Sequence, residues 1–149
     1  MEQTLIIVKP DGVQRGLVGE IIGRFERRGL RIVALKMLHL TKDMAERHYD
    51  VHKGKHFYDQ LVEYISSGPV VAAVIEGPDV INTVRKMVGK TRPNEAEPGT
   101  IRGDLAVTGL RNLIHASDAP DTARKEISLF FDRAEVLSYQ RDIDRWIYE

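Results

Sequence analysis

The chain has 149 residues, 42% of them hydrophobic and 30% charged, which suits a single domain over 1–149 and excludes both a disordered and a membrane-embedded composition; a chain this long can bury roughly 70% of the surface its unfolded form exposes. Twenty-two Lys plus Arg balance twenty-two Asp plus Glu, so there is no bulk cationic field of the kind that dominates nucleic-acid affinity, and any phosphate must be held locally. There is no cysteine for a disulfide, a thiolate zinc site or a thiol nucleophile, and the longest apolar run, Val70 to Ile75, is far below the ~20 residues of a spanning helix, so with no secretory leader at its start the chain is expected in the cytoplasm.

Thr4 to Val8 is short, apolar and β-branched and runs into Lys9-Pro10-Asp11-Gly12, which predicts a buried strand closed by a turn, with Lys9 at the exit. From Gly16 to Arg28, Leu17, Val18, Ile21, Ile22 and Phe25 recur at helical spacing, and Gly29 is the expected stop. Leu30 to Leu40 reads as a second strand, and Thr41 is the expected cap of the segment beyond it. Lys42 to Ser66 lacks strand alternation and predicts a helical hairpin, broken near Lys53-Gly54 and inserted like a lid. Pro69 to Glu76 is the third strand, Asp79 to Val88 the next helix, and Gly89 its end. Lys90 to Arg111 holds two Pro and three Gly; a loop of that length inside a compact domain is expected to carry chemistry. Leu113-Ile114-His115 is a brief fourth strand, Asp121 to Phe131 a C-terminal helix, and a polar tail ends at Trp146-Ile147-Tyr148-Glu149. With the hairpin and tail set aside, the order β-α-β-β-α-β predicts an α+β, ferredoxin-like split βαβ sandwich: a four-stranded antiparallel sheet with helices on one face.

Two glycine patterns carry no nucleotide motif. Val88-Gly89-Lys90-Thr91 resembles the end of a P-loop, but Val84 stands where that motif needs Gly, and Gly12, Gly16 and Gly19 do not have dinucleotide-fold spacing. His39, His48, His52 and His56 form no H-E-x-x-H pattern and have no neighbouring carboxylate set, so they are expected at the surface and no metal ligands are assigned.

Asn112-Leu113-Ile114-His115-Ala116-Ser117-Asp118 puts an imidazole at the end of an apolar strand with polar partners on either side. On this heptad alone His115 is either a hydrogen-bonded structural histidine or a reactive one. Its surroundings favour chemistry: Lys90, Thr91, Arg92, Arg102 and Arg111 lie in the adjoining loop and Arg85 on the preceding helix. Singly each is more often a solvated charge, but together they suit phosphate, whose oxygens planar guanidinium groups bind in bidentate fashion.

The segments Lys9 to Gly16, Gly99-Thr100-Ile101-Arg102-Gly103-Asp104, Asn112 to Asp118 with its N-x-x-H-[GA]-S-D pattern, and Trp146 to Glu149 together resemble the nucleoside diphosphate kinase family, in matching order and over nearly the whole chain. Two positions depart from the commoner pattern: Leu110 stands where the family usually has Gly, and Ala116 follows the histidine where Gly is commoner. The resemblance implies a kinase that moves the γ-phosphate of a nucleoside triphosphate to a nucleoside diphosphate by a ping-pong route through a phosphohistidine at His115. It implies that Glu126 orients the imidazole with Ser117 as its helper. Lys9, Tyr49, Arg85, Thr91 and Arg102 would contact phosphate and ribose, Asn112 a ribose hydroxyl, and Phe57 would stack on the base without reading it, which gives broad specificity. Mg²⁺ would arrive on the nucleotide phosphates, and the chain would form a homo-oligomer, a hexamer or else a tetramer. It would need neither membrane nor nucleic acid. The competing expectation is a nucleotide- or nucleic-acid-binding regulatory module on the same fold, although aromatic ribonucleoprotein motifs are missing.

Overall fold

The structure is a computed structural model describing residues 1–149. Four strands, β1 (Glu2–Val8), β2 (Arg31–Leu38), β3 (Val70–Gly77) and β4 (Ile114–Ala116), form one antiparallel sheet in the order β2-β3-β1-β4. This is the expected ferredoxin-like arrangement. Leu5 to Val8 are fully buried because β1 is central, flanked by β3 and β4 and covered on both faces. A bulge between Ile32 and Ala34 interrupts the β2–β3 register.

Strand alternation divides the core in two. Ile6 and Val8 pack with Ile21, Ile22 and Phe25 of α2 (Val18–Arg27) and with Val80, Ile81, Val84 and Val88 of α5 (Val80–Val88). Leu5 and Ile7 face the opposite way, onto Ala45 of α3 (Lys42–His48), Val62 and Ile65 of α4 (Tyr58–Ile65) and Phe130 of α7 (Pro120–Phe130). The expectation of helices on one face thus holds for α2 and α5 and is incomplete for the molecule. The inserted hairpin and the last helix cover the second face, because the apolar side of every strand residue needs a partner. Thr41 caps α3 as expected, its hydroxyl accepting from the Met44 amide at 3.1 Å.

Two loops contain unpredicted helix. Lys9-Pro10-Asp11-Gly12 continues into a short helix α1 (Pro10–Gln14), with Pro10 at the position where its missing N–H leaves no bond unmade. The long loop holds a 3₁₀ turn at Pro93–Glu95 and a helix α6 (Ile101–Leu105), capped by Thr100, whose hydroxyl accepts from the Gly103 amide at 3.0 Å. The tail straps the α2–β2 turn: the Leu137 amide donates to Val33 O at 2.8 Å, and the Tyr148 hydroxyl and Arg141 guanidinium both donate to Gly29 O.

Candidate active site

β4 pairs Ile7 with His115. Ile114 and Ala116 point into the α2–α5 core, so alternation turns His115 toward α3 and α7. There its Nε2 lies 3.0 Å from Glu126 Oε1 and 2.9 Å from Oε2, and the Ser117 hydroxyl donates to Oε1 at 2.6 Å. Glu126 shares the buried face of α7 with Ala123 and Phe130, and Ser117 is fully buried. An acceptor-only carboxylate selects the tautomer of the neutral ring with Nε2 as the donor and the lone pair on Nδ1. The imidazole side chain retains 22% of its exposure, which leaves it reachable.

The preceding residues are held in an unusual shape. Leu113 is fully buried at φ 74, a left-handed conformation that a leucine adopts only under constraint. Asp11 supplies that constraint: one oxygen accepts from the Leu113 amide at 3.1 Å and the other from the Tyr64 hydroxyl. The Lys9 amide donates to Leu113 O at 2.8 Å. Gly12 lies close beneath, where a Cβ would stand 3.2 Å from Leu113 O. Arg111 covers the Tyr64 ring at 4.5 Å.

Next to this turn the cations gather. Lys9 Nζ donates to Asn112 Oδ1 at 2.8 Å, and Asn112 Nδ2 donates to Thr91 O at 3.1 Å. Arg102 donates to Asn112 O, Gly89 O and Ile114 O at 3.2, 3.1 and 2.5 Å, and the exposed Arg85 reaches Ala116 O at 3.2 Å. Burial first, then Arg102, pulls the Lys9 pKa down to about 8. Burial and Arg85 lower Arg102 to about 10, still charged at neutral pH. Neither buried cation is salt-bridged to a carboxylate, although Asp11 favours the charged form of Lys9, and buried charge of one sign favours an anion beside it.

Aromatic rings run outward from the imidazole. His48 stands edge-on to His115 with centroids 4.6 Å apart, Tyr49 lies 4.6 Å from His48, and His52 connects Tyr49 to Phe57 at 6.3 and 5.3 Å. Burial, then Glu126, raises the pKa of Tyr49, whose buried hydroxyl has no hydrogen-bond partner. Phe57 is half-buried at the head of α4 rather than in the core.

The structure brings His115, Glu126 and Ser117 into direct contact, joins Lys9, Thr91, Arg102 and Asn112 in one network, and sets Arg85, Tyr49 and Phe57 around them. One expectation is overturned. His39 and His56 are exposed and His52 partly so, but His48 is buried against His115, because it projects from the face of α3 that packs on α7. Burial, reinforced by His115, Lys9 and His52, lowers its pKa well below the usual histidine value. Asp11 and Tyr64 escape sequence reasoning too; the only hint is that Asp11 sits inside the Lys-Pro-Asp-Gly segment.

The family model described as nucleoside diphosphate kinase matches residues 2–136. A nucleoside diphosphate kinase from Thermomicrobium roseum is 60% identical, with 99% of each chain covered. Among solved structures, a nucleoside diphosphate kinase from Halobacterium salinarum in complex with CDP is 47% identical, with a TM-score of 0.97 and 99% of each chain covered. One from Borrelia burgdorferi, a transition-state mimic with bound vanadate and ADP, is 41% identical, with a TM-score of 0.91 over 96% of this chain and 94% of its own. With sequence and fold agreeing from end to end, the chain belongs to the nucleoside diphosphate kinase family.

Proposed function

We propose that the whole 1–149 chain acts as one catalytic domain, moving the terminal phosphoryl group of a nucleoside triphosphate to a nucleoside diphosphate in two half-reactions. His115 Nδ1 attacks the γ-phosphorus in line. The N–P bond forms as the bond to the bridging oxygen breaks, and the first nucleoside diphosphate leaves with that electron pair. A β-phosphate oxygen of the second nucleotide then attacks the same phosphorus and restores the imidazole. Glu126 holds Nε2–H and stabilises the ring as it becomes cationic, and Ser117 holds Glu126. Histidine suits the transfer because an unprotonated nitrogen is present near neutral pH and the P–N bond stays labile.

Lys9, Arg85 and Arg102 meet the phosphates, with Thr91, Asn112 and Tyr49 offering donors to phosphate and ribose. Phe57 stacks on the base without reading its edge, which supports broad specificity. His48, His115 and Glu126 are the only close group of three ionisable donors, and two imidazoles do not fit a hard cation that prefers oxygen. Mg²⁺ therefore belongs to the substrate, carried on the nucleotide phosphates. The homo-oligomer, a hexamer or else a tetramer, finds support in the exposed apolar side chains Leu35, Met37, Val107, Leu110 and Trp146. No helix is long and apolar enough to cross a membrane, and the reading places the enzyme in the cytoplasm.

The observation that carries this reading is the Ser117–Glu126–His115 relay, which occupies one ring nitrogen and leaves the other free, with Arg102 and Arg85 bonded to the carbonyls of the residues on either side of His115. The protein incubated with γ-labelled ATP and Mg²⁺, then freed of nucleotide, is expected to carry an acid-labile, alkali-stable label that GDP removes quantitatively as GTP. Nucleotide binding without a label would reduce the chain to a regulatory binding module.

A further inference from the structure

The relay does not use His48. Its side chain is 1% exposed, and neither ring nitrogen has a hydrogen-bond partner, which is costly for a buried polar group. One nitrogen points toward the catalytic carboxylate: His48 Nδ1 is 3.6 Å from Glu126 Oε2, and His115 Nε2 is 2.9 Å from that same oxygen. The three ligand-capable atoms lie within 4.8 Å of one another. Ligand atoms 2.0–2.1 Å from a tetrahedral cation are about 3.4 Å apart, and the two distances to Glu126 Oε2 bracket that value. A cavity of about 470 Å³ in the α3–α7 groove, bounded by Arg47, Asp50, Thr122 and Lys125, reaches His48 and Glu126 from behind. It offers an access route and room for a water as fourth ligand.

We propose that His48, His115 and Glu126 form an inhibitory site for a borderline divalent cation of the Zn²⁺ class, favoured while His115 is unphosphorylated. Two imidazoles and a carboxylate are the donor set of three-ligand zinc sites. A metal on Nε2 needs the lone pair there, so the ring proton moves from Nε2 to Nδ1, and the Glu126 oxygen is taken away from the relay. Nδ1 then loses its nucleophilicity. Conversely, attack through Nδ1 leaves a cationic ring whose Nε2–H is bonded to Glu126, and a metal must displace that proton to solvent before it binds, so phosphorylation disfavours the metal. Cation and phosphoryl donor oppose each other by one reciprocal factor. This opposition rests on the reading of His115 as the phosphorylated residue; the site itself does not.

Zn²⁺ titrated calorimetrically into metal-free full chain, without nucleotide, is expected to bind at one per chain, and Co²⁺ to give the strong visible band of a four-coordinate site. His48→Phe, which keeps the packing on Tyr49 and Phe130, should weaken Zn²⁺ by no less than the roughly 10- to 100-fold that loss of an outer partner costs. The double variant His52→Ala with His56→Ala should leave Zn²⁺ affinity unchanged, and the phosphorylated enzyme should bind at least about tenfold more weakly. Should His48→Phe fail to fold, the His48 and His115 ring resonances of the wild type are read during a Cd²⁺ titration, and both must shift. Unchanged affinity in folded His48→Phe, loss of binding in the His52/His56 variant, or ring resonances that stay still would overturn the site. Equal affinity for phosphorylated enzyme would overturn the opposition. The label-and-chase experiment reads His115 phosphorylation separately, so failure of the site and failure of the catalytic reading are distinct results.

Discussion

At the residue scale, the site works by denying groups their usual partners. Ser117→Ala removes one hydrogen bond to Glu126, worth about 1 kcal/mol net, and is expected to lower kcat by about tenfold or less. Glu126→Ala removes the ring's acceptor, and kcat should fall about 10²-fold with little change in KM. Steady-state kinetics with ATP and GDP checks both. Lys9 ties activity and stability to pH in opposite directions. Its folded pKa, about 8, lies below the ordinary lysine value of 10.5, so between those limits the unfolded chain binds more protons. Stability from this residue therefore rises with pH across that window, by about 3 kcal/mol, and is already lost below pH 8. Above pH 8 the free enzyme also loses the charge proposed to meet the phosphates, so nucleotide KM should climb. Denaturant melts and KM measured from pH 7 to 10 test this, and Lys9→Met should flatten both trends.

At the element scale, the proposed nucleophile His115 depends on a turn two residues before it. Asp11 holds the left-handed Leu113, and conformations of that kind cost of order 1–3 kcal/mol. Asp11→Ala should lower stability by about 2 kcal/mol and raise nucleotide KM, read by urea unfolding and kinetics. The four strands and helices α2, α5 and α7 are legible in the sequence because their apolar residues recur at strand or helix period and Gly or Pro punctuates them. Helices α1 and α6 are not, since each spans five residues and is made by proline placement or a threonine cap rather than by periodicity. The His115–Glu126–Ser117 relay comes from the resemblance, because eleven residues separate His115 from Glu126 and no local pattern joins them. The surface expectation for His48 fails for a related reason: only the packing of α3 on α7, a tertiary event, buries it.

At the scale of the whole molecule, the sheet ends in an edge. β2 pairs only with β3, and its Leu35 and Met37 are 54% and 60% exposed, an apolar edge that natural proteins cover. Sedimentation should find a mass several times that of the 16.9 kDa chain, and Met37→Lys should reduce it. The catalytic mechanism turns on one atom. Phosphoenzyme prepared with ¹⁵N-labelled histidine and examined by ³¹P and ¹⁵N NMR should carry its phosphorus on His115 Nδ1, with Nε2 still protonated toward Glu126. Phosphorus on Nε2, or on any other residue, would contradict it.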